Sequence, residues 1–510
     1  MAEPSWGEGY VVDLDYTQGY YRDLAPALLG FVALLGGIRA AETEAAFTYY
    51  ELGCGQGFST ALHAAANPAG QFIGADFNPT HIQNAQRLAR DAGIANVRFL
   101  EKSFGELLDM DLPDAEFIAL HGVWTWVGEE HRRQIVEFLR RRLKPGGIVY
   151  LSYNCLPGQA QMAPLQRLLV EHAGLGTGDR MERVQRSIEF AVRLERAGAR
   201  YFGASPLARE RLARLGAQNP HYVAHEYYNA NWSPFYHVDV ARALVPAKLS
   251  FAGSTALHDN FEQFALRPEM AQLVAEFKDR AVAETIKDFA RNQVFRKDVF
   301  VRGAPQAGPA ELEAMLGRTR FALARPRSRC TLTQTSPAGE VTLGEAAYAP
   351  VLDALARSPM TFDELGRAPE SAKLDRNRMR QAVFGMAALG NVLPALPDAG
   401  EPARRASAAR FNQAVLSRPA AGPANTVLAS PVLGGGVFIN FIDRIFLEGP
   451  GTEPEAADHV QSVMKARGLK LAKGDKFVEG ESEQRAVLAE RARFFFTELL
   501  PYYRQLGVLD

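Results

Sequence analysis

Residues 49–57 read Tyr49-Tyr50-Glu51-Leu52-Gly53-Cys54-Gly55-Gln56-Gly57. Aromatic and apolar residues precede the glycines, and the run Phe58-Ser59-Thr60-Ala61-Leu62 follows them. This order predicts a strand, a glycine-rich turn and a helix. Because glycine has no Cβ, such a turn lets a ligand approach the main chain closely. The first turn of the helix adds unpaired N–H groups and a partial positive charge. The stretch therefore predicts a ligand-binding turn.

The spacing of these glycines distinguishes between two kinds of ligand. A dinucleotide site requires Gly-x-Gly-x-x-Gly, but Phe58 stands where the third glycine would be. The pattern Glu-x-Gly-x-Gly-x-Gly, which begins at Glu51, resembles instead the first motif of class I S-adenosylmethionine (SAM) methyltransferases. In that motif the acid faces the cationic amino group of the methionine moiety.

Composition limits what the chain can be. Its 510 residues predict two to four domains. The net charge of −1 gives no basic excess of the kind that drives non-specific nucleic-acid binding. Its three cysteines form no Cys-x-x-Cys pair, and His225-Glu226 lacks the second histidine of a zinc motif, so we expect no metal site.

The most apolar run, residues 24–38, is shorter than a bilayer span of about 20 residues. We see no signal peptide, and we expect a cytoplasmic protein without membrane insertion.

Strand and helix patterns alternate between residues 47 and 154. Such alternation predicts a parallel sheet with helices on both faces, and ligands bind beyond the carboxyl ends of its strands. The predicted strands are residues 47–52, 71–76, 96–100, 117–121 and 148–153. Residues 159–246 then read as a helical insertion. Two further strands, 248–255 and 296–302, lie on either side of a long predicted helix at 269–292. The fold class is therefore α/β, with a Rossmann-like, seven-stranded sheet.

Several side chains should meet at the carboxyl edge of this sheet. Asp76 ends the second strand, where a carboxylate could reach both hydroxyls of a ribose. Two tryptophans, Trp124 and Trp126, follow the fourth strand and could form a wall of an acceptor pocket. Tyr153 and Asn154 end the fifth strand, where a nucleophile would enter.

Two aromatic segments outside the strands could complete the site. Tyr16, Tyr20 and Tyr21 precede the first strand and predict a lid, because tyrosine offers a large flat face at low entropy cost. Residues 225–237 mix aromatic and polar groups and predict contacts with the acceptor. The candidates in this segment are His225, Tyr227 and Trp232.

The C-terminal half has a different character. Residues 345–396 read helix, short helix, helix and strand, which is typical of a winged helix. Between residues 345 and 380, six acidic residues balance six basic ones. This balance favours a structural or protein-interaction module over a DNA reader. Residues 397–423 are predicted to begin as a linker, and the triple glycine at 434–436 to be a tight turn.

The separate motifs resemble one family when taken together. They are the runs at residues 16–21, 51–57, 76–79, 121–127, 153–158, 225–227 and 295–303. The chain is similar to bacterial class I SAM methyltransferases that carry a methyltransferase regulatory domain. The best-understood members are rickettsial protein-lysine methyltransferases that act on outer-membrane protein. One departure bears on the acceptor pocket, because Gln159 stands where a Trp commonly follows Leu-Pro-Gly.

The resemblance implies SAM as cofactor, S-adenosylhomocysteine as product, a protein substrate and a homodimer. It places adenine near Ser103 and Phe104. With the assignments above, the candidate cofactor-binding residues are Tyr16, Tyr20, Tyr21, Glu51, Gly53, Gly55, Gly57, Asp76, Phe77, Asn78, Ser103, Phe104, His121 and Gly122. The candidate acceptor-pocket residues are Trp124, Trp126, Tyr153, Asn154, His225, Tyr227 and Trp232.

The sequence and the resemblance together divide the chain into six segments. They are an N-terminal helical and tyrosine-lid segment (1–44), a SAM-binding core (45–158), the helical insertion (159–246), strands six and seven (247–304), a winged-helix-like middle domain (305–400) and an α-rich C-terminal domain (401–510).

Three functions are consistent with these features. The first is methyl transfer to lysine side chains of a protein by in-line displacement. The second keeps the chemistry but takes a small molecule or a glycan as acceptor, and a hydroxyl acceptor would need a base such as His121, His225 or His237. The third is a non-catalytic, SAM-binding regulator, which the charge balance of the winged-helix-like segment disfavours.

Overall fold

A seven-stranded sheet organises the first 300 residues of the computed structural model, which describes residues 19–39, 45–216, 218, 220–418, 426–474 and 476–509. Tyr16 lies outside these residues. The strands of the sheet are β1 (Phe47–Leu52), β2 (Gly70–Asp76), β3 (Val97–Glu101), β4 (Ala115–Leu120), β5 (Leu143–Asn154), β6 (Leu249–Ser254) and β7 (Phe295–Arg302).

The strand order is β3-β2-β1-β4-β5-β7-β6. Strands β1 to β5 pair in parallel, whereas β7 lies between β5 and β6 and is antiparallel to both. The α/β class and the seven strands are confirmed. Strand β7 runs opposite to the other strands of this sheet, and it pairs with β6, the strand that precedes it in sequence.

Helices cover both faces of the sheet. In the first part of the chain they are α1 (Pro26–Leu35), α2 (Phe58–Ala66), α3 (Pro79–Asp91), α4 (Phe104–Leu108) and α5 (Glu129–Arg142). Alternate residues of β1 point to opposite faces, so Tyr49 packs against Phe72 and Phe117 while Tyr50 packs against Phe138. This alternation produces two separate cores, one on each side of the sheet.

The helical insertion contains α6 (Ala163–Leu175), α7 (Arg180–Arg196), α8 (Arg200–Ala204), α9 (Pro206–Leu215), α10 (Pro220–Tyr227) and α11 (His237–Leu244). Helices α6 to α10 form a third core of their own, whereas Val240 and Leu244 of α11 belong to a core on one face of the sheet. The long helix predicted at 269–292 is divided. The structure has α12 (Glu262–Ala265), α13 (Pro268–Ala275) and α14 (Arg280–Arg291), and α14 begins afresh because the Asp279 side chain caps its first turn.

The segment after β7 contains a small antiparallel sheet. Its elements are α15 (Pro309–Arg318), β8 (Arg320–Leu323), β9 (Thr333–Ser336), β10 (Gly339–Thr342), α16 (Glu345–Arg357), β11 (Met360–Thr361), α17 (Phe362–Leu365), α18 (Arg376–Ala388) and β12 (Val392–Ala395). Strand β8 lies between β11 and β12. The predicted order of helix, short helix, helix and strand is present, and the description as winged-helix-like stays a prediction.

The final segment is mostly helical. Its elements are α19 (Glu401–Leu416), β13 (Thr426–Ser430), β14 (Gly435–Ile439), α20 (Phe441–Glu448), α21 (Glu453–Ala466), β15 (Ala472–Lys473), β16 (Lys476–Phe477), α22 (Glu481–Phe494), a π-helical turn (Phe495–Leu499) and α23 (Leu500–Gln505). The linker predicted to begin at 397 is largely a helix, because its alanines and arginines favour helix. That helix, α19, packs on α2, with Phe411 5.8 Å from Phe58 between ring centroids.

A buried ion network joins β7 to α14. Arg296 contacts Asp288 (2.6 Å), Glu284 (2.8 Å) and Asp298 (2.9 Å). The Tyr153 hydroxyl also donates to Asp298, at 2.6 Å. Burial alone would raise the pKa of Asp298, but the charge of Arg296 holds it below its ordinary value. The network therefore gives each ionised side chain in the buried contact between β5 and β7 a partner of opposite charge.

We expect Asp298→Asn to lower the free energy of unfolding by about 3 kcal/mol, because it leaves the buried Arg296 guanidinium without one of its countercharges. Chemical denaturation measures this change. Glu311→Gln is the matched control, since Glu311 forms an exposed pair with Arg39 and its loss should not move the midpoint. Equal midpoints for wild type and Asp298→Asn would contradict the prediction.

Candidate active site

A cavity of about 310 Å³ lies at the carboxyl ends of β1 to β4. Loops that leave these strands supply most of its lining, as expected for an open α/β sheet. Of the predicted site residues, the cavity brings together Tyr21, Glu51, Gly53, Gly55, Gly57, Asp76, Phe77, Ser103, Phe104, His121, Gly122 and Trp126.

The floor of the cavity is the turn between β1 and α2. Gly53, Gly55 and Gly57 have φ angles of +73°, +52° and +68°. A Cβ on Gly53 would lie 2.5 Å from a Val123 methyl carbon, whereas one on Gly55 would meet nothing within 4 Å. The first contact explains why only glycine fits position 53. The open space at Gly55 shows where the backbone faces the cavity.

Asp76 forms hydrogen bonds both to the glycine turn and to the backbone just before α3, at the edge of the cavity. One of its carboxylate oxygens accepts from the Gly55 N–H, and the other accepts from the Asn78 N–H, both at 2.9 Å. Each carboxylate oxygen has more than one lone pair. Asp76 therefore retains acceptor capacity for a hydroxyl pair in the cavity.

Glu51 is a buried carboxyl group, 3% exposed, at the end of β1. It accepts a hydrogen bond of 2.5 Å from the Thr60 hydroxyl. Burial raises the pKa of Glu51 to about 7, and the charge of Asp76 adds to this rise while the Thr60 bond opposes it. A cation in the cavity would favour the ionised form.

An aromatic wall follows β3. Ser103 caps α4 and forms a capping box with Glu106, which orients Phe104 at the first helical position. Phe104 lies edge-on to His131, with ring centroids 6.2 Å apart. Both rings line the cavity and could hold a flat heterocycle.

Residues 19–21 form one side of the cavity. The Tyr21 ring stacks on His121 with centroids 3.7 Å apart. The Tyr21 N–H donates to the Ser59 hydroxyl (3.0 Å), which itself donates to the Gly19 carbonyl (3.1 Å). Burial lowers the pKa of His121 to about 4, so the stacked ring is neutral at physiological pH. Tyr21 thus occupies the position predicted for a lid.

Two predicted cofactor residues lie elsewhere. The Tyr20 hydroxyl accepts from the Gly436 N–H at 2.5 Å, and its ring meets Phe438 edge-on, so Tyr20 packs on β14. Asn78 caps α3 by accepting from the Thr80 and His81 N–H groups. The side-chain oxygen of Asn78 is used in these two hydrogen bonds, so Asn78 has a structural role as the cap of α3.

Most predicted acceptor residues lie away from the cavity. Trp124 is 1% exposed and packs near Phe235, because the loop after β4 turns its first tryptophan into the core. Tyr153 is fully buried, since the alternation along β5 points it at Asp298 and not toward the cavity. Asn154 is buried, and its N–H donates to the Thr125 hydroxyl.

The helical insertion contains the remaining predicted acceptor residues. His225 and Tyr227 lie on α10 and are buried, and Trp232 packs partly buried against the insertion core. Among the described residues, Trp126 is therefore the one predicted acceptor residue that borders the cavity.

The cavity also has lining residues that sequence reasoning missed. They are Gly19, Cys54, Gln56, Phe58, Ser59, His81, Lys102, Glu106, Val123, Val127, His131 and Asn231. Positions 54, 56, 58 and 59 could have been found, since they lie inside or just after the glycine turn. Asn231 comes from the distant insertion, and it was not named as a candidate although it lies within residues 225–237, the segment predicted to contact the acceptor.

The residues present fit a molecule such as SAM. The buried Glu51 suits a cationic amino group, Asp76 suits a ribose diol, and the Phe104 wall suits an adenine ring. Gly55 leaves room for the main chain to contact the ligand. No group of three or more His, Cys, Asp or Glu side chains in the described part of the chain could hold a metal ion. Within the same residues, no helix has both the length and the apolar character needed to span a membrane.

Two family descriptions match parts of the chain. Residues 50–147 match a methyltransferase domain, and residues 219–302 match a predicted methyltransferase regulatory domain. The uncharacterized protein sll1526 of Synechocystis sp. is 36% identical over 504 residues, which covers 99% of this chain and 100% of that protein. The uncharacterized protein RP789 of Rickettsia prowazekii is 26% identical over 57% of this chain and 53% of its own length.

A solved structure has a similar fold along nearly the whole chain. The structure of PKMT2 from Rickettsia typhi in complex with AdoHcy superimposes with a TM-score of 0.71 at 18% identity. The match covers 97% of this chain and 99% of that chain.

Glu51 should make stability depend on pH. Its pKa is about 7 in the folded state, compared with an ordinary value of 4.5. The folded protein therefore binds this proton more tightly, and stability falls as the pH rises from 4.5 through 7. Because glutamine does not titrate, Glu51→Gln should reduce this fall in the free energy of unfolding by up to about 3 kcal/mol. Denaturation at pH 5 and pH 8 measures it.

The exposed Glu340 provides the control, because Glu340→Gln should keep the wild-type decline. If Glu51→Gln and wild type lost the same stability between pH 5 and pH 8, Glu51 would not be the group that titrates.

Proposed function

Because this chain belongs to the class I SAM-dependent methyltransferases that carry a methyltransferase regulatory domain, we propose that it transfers methyl groups to lysine side chains of a protein. Methyl transfer from SAM follows from the family. The lysine acceptor is supported by the whole-chain likeness to PKMT2, a protein lysine methyltransferase. The observation that carries this proposal is that Trp126 and Val127 form an apolar wall of the cavity.

The residues of the cavity would hold SAM in a defined orientation. Glu51 would receive the amino group of its methionine part, Asp76 its ribose, and Ser103 with Phe104 its adenine. The stack of Tyr21 on His121 would exclude water from one side. When bound, SAM supplies a methyl group on a sulfonium that is already a good leaving group. The chain must therefore mainly position the acceptor nitrogen about 3 Å from that methyl carbon and in line with its bond to sulfur.

A lysine acceptor must lose a proton before it can react. With an ordinary pKa near 10.4, only roughly a few amines in ten thousand are neutral at pH 7. Trp126 and Val127 are largely apolar, and desolvation beside them lowers the pKa of an amine. The aromatic face of Trp126 also attracts an ammonium group. The same wall would therefore guide the acceptor and favour its neutral form.

Further parts of the proposal rest on the family resemblance. We place this protein in the cytoplasm and assign self-association as a homodimer to the helical insertion. The six segments of the chain predicted above are proposed as its domains, with 45–158 and 247–304 forming the catalytic core.

Cofactor binding can be tested without any acceptor. Asp76→Ala should weaken the binding of S-adenosylhomocysteine at least about tenfold, because the ribose contact and the Gly55 anchor are both lost. Isothermal titration calorimetry measures the affinity. Asp111→Ala is the control, since Asp111 is exposed and outside the cavity. Unchanged affinity in Asp76→Ala would contradict the assigned ribose site.

The acceptor is tested by labelling. We expect wild-type protein and methyl-labelled SAM to mark proteins in a bacterial lysate, with methyl-lysine found by mass spectrometry, and excess S-adenosylhomocysteine to suppress the label. Asp76→Ala should give no label and Asp111→Ala full label. Label confined to low-mass material would contradict the lysine proposal and favour a small-molecule acceptor.

A further inference from the structure

Residues 19–21 present their side chains to opposite sides of the chain. Gly19 and Tyr21 line the cavity, whereas Tyr20, between them, does not. The backbone of Tyr21 is extended, with φ −116° and ψ 104°. In extended backbone, successive side chains point in opposite directions. Tyr20 therefore points away from the cavity, and it is only 8% exposed.

Tyr20 packs against the C-terminal hairpin, which comprises β13, β14 and the turn between them (residues 426–439). Its hydroxyl accepts a hydrogen bond of 2.5 Å from the Gly436 N–H, and its ring meets Phe438 edge-on at 5.6 Å between centroids. A Cβ on Gly435 would lie 2.8 Å from the Tyr20 hydroxyl oxygen, and one on Gly436 would lie 2.8 Å from the ring. Two consecutive glycines therefore leave the space that the tyrosine side chain fills.

Helix α2 joins the same two regions. At its start, the Ser59 hydroxyl accepts from the Tyr21 N–H (3.0 Å) and donates to the Gly19 carbonyl (3.1 Å). Just past its end, the Asn67 side chain donates to the Gly434 carbonyl at 2.9 Å. The segment that contains Tyr21, helix α2 and the C-terminal hairpin thus contact one another pairwise. A shift of the hairpin must therefore move the cavity wall or break one of these contacts.

We propose that Tyr20 is a positioning residue for the cofactor: anchored on the C-terminal hairpin, it holds Gly19 and Tyr21 in the cavity wall and so strengthens the binding of SAM. This inference rests on the proposed function only in taking the cavity as the cofactor site, and it needs no acceptor. The C-terminal hairpin has this effect although none of its residues, all of which the structure describes, lines the cavity.

The physical basis of the coupling is the order of a short segment. The Tyr21 ring is restrained on the cavity side, because it stacks on His121 with centroids 3.7 Å apart. Tyr20 restrains the same backbone from the other side. Without this anchor, the cofactor would have to order the segment as it binds, and the conformational entropy lost would oppose binding. Because coupling is reciprocal, a bound cofactor should in turn strengthen the contact between Tyr20 and Gly436.

The first test is the variant Tyr20→Phe, which keeps the ring and removes the hydroxyl. The affinity for S-adenosylhomocysteine should fall about threefold to tenfold, because the hydrogen bond from Gly436 is lost. Isothermal titration calorimetry with the full-length protein measures it. Tyr503→Phe is the matched control, since Tyr503 is also buried and its hydroxyl donates to Asp443 at 3.4 Å, within the C-terminal region. The affinity of this control should equal that of the wild type.

Amide exchange gives a measurement that a purely structural tyrosine would not change. Hydrogen–deuterium exchange of the wild-type protein is followed by mass spectrometry, with and without saturating S-adenosylhomocysteine. Exchange in the peptide that contains Gly436 should slow about threefold to tenfold when the ligand binds, matching the change in affinity. The peptide that contains Tyr503 reports stabilisation of the whole protein and should slow less. In Tyr20→Phe, the additional slowing at Gly436 should disappear.

The outcomes separate this proposal from the lysine acceptor. Equal slowing of exchange at Gly436 and Tyr503 would overturn the coupling, and this measurement decides even if Tyr20→Phe does not fold, because it uses the wild-type protein. Equal affinity for S-adenosylhomocysteine in Tyr20→Phe and wild type would also overturn it. Label on low-mass material alone would instead overturn the lysine acceptor and would leave the role of Tyr20 intact.

Discussion

The left-handed backbone between β1 and α2 is the constraint on which the active site depends. A Cβ on Gly57 would lie 2.5 Å from the Ala85 Cβ and 2.6 Å from the Phe99 ring, so α2, α3 and β3 can approach one another only around a bare backbone. The N–H groups of Gly53 and Cys54 both donate to the Ala75 carbonyl, which fixes the turn to β2. Because the protein interior is closely packed, the conformation of this turn also fixes the positions of the elements that form the walls of the cavity.

Helix α2 connects this site to the rest of the chain. Its Ser59 holds the segment that carries Tyr21, and the Asn67 side chain, just past its end, donates to the Gly434 carbonyl at 2.9 Å. A Cβ on Gly436 would lie 2.8 Å from the Tyr20 ring, so glycine there admits the tyrosine. The tight turn predicted at 434–436 is therefore present only at Gly434, whereas Gly435 and Gly436 begin β14 and form a packing surface. Through adjacent residues, the cavity wall at Tyr21 and the C-terminal region at Tyr20 are parts of one packed unit.

The residues that line the cavity around Glu51 and Asp76 could be predicted from the sequence because their signals are local. A strand end, a glycine turn and a helix cap lie within a few residues of each other, as at Glu51 and Asp76, and the parallel sheet then brings such ends together. The positions of the predicted acceptor residues depend on tertiary packing. Nothing near Trp124 in the sequence tells which tryptophan of its loop turns inward, and the hydrogen-bond partner of Tyr153, Asp298, is far along the chain. Helix α19 was missed because proline and alanine composition outweighed helix propensity in our interpretation.

The two glutamates that line the cavity show how the environment gives one residue type separate roles. Burial raises the pKa of Glu51 to about 7, whereas the pKa of exposed Glu106 is held at about 2 by Lys102 and the capping box. Glu51 lies under the glycine turn, where Thr60 donates to its carboxyl group. Glu51 can therefore adjust its charge to a cation that arrives, while Glu106 stays ionised near neutral pH. A cavity that receives a positively charged sulfonium compound needs such adjustment, because a buried carboxylate is costly until a cation pairs with it.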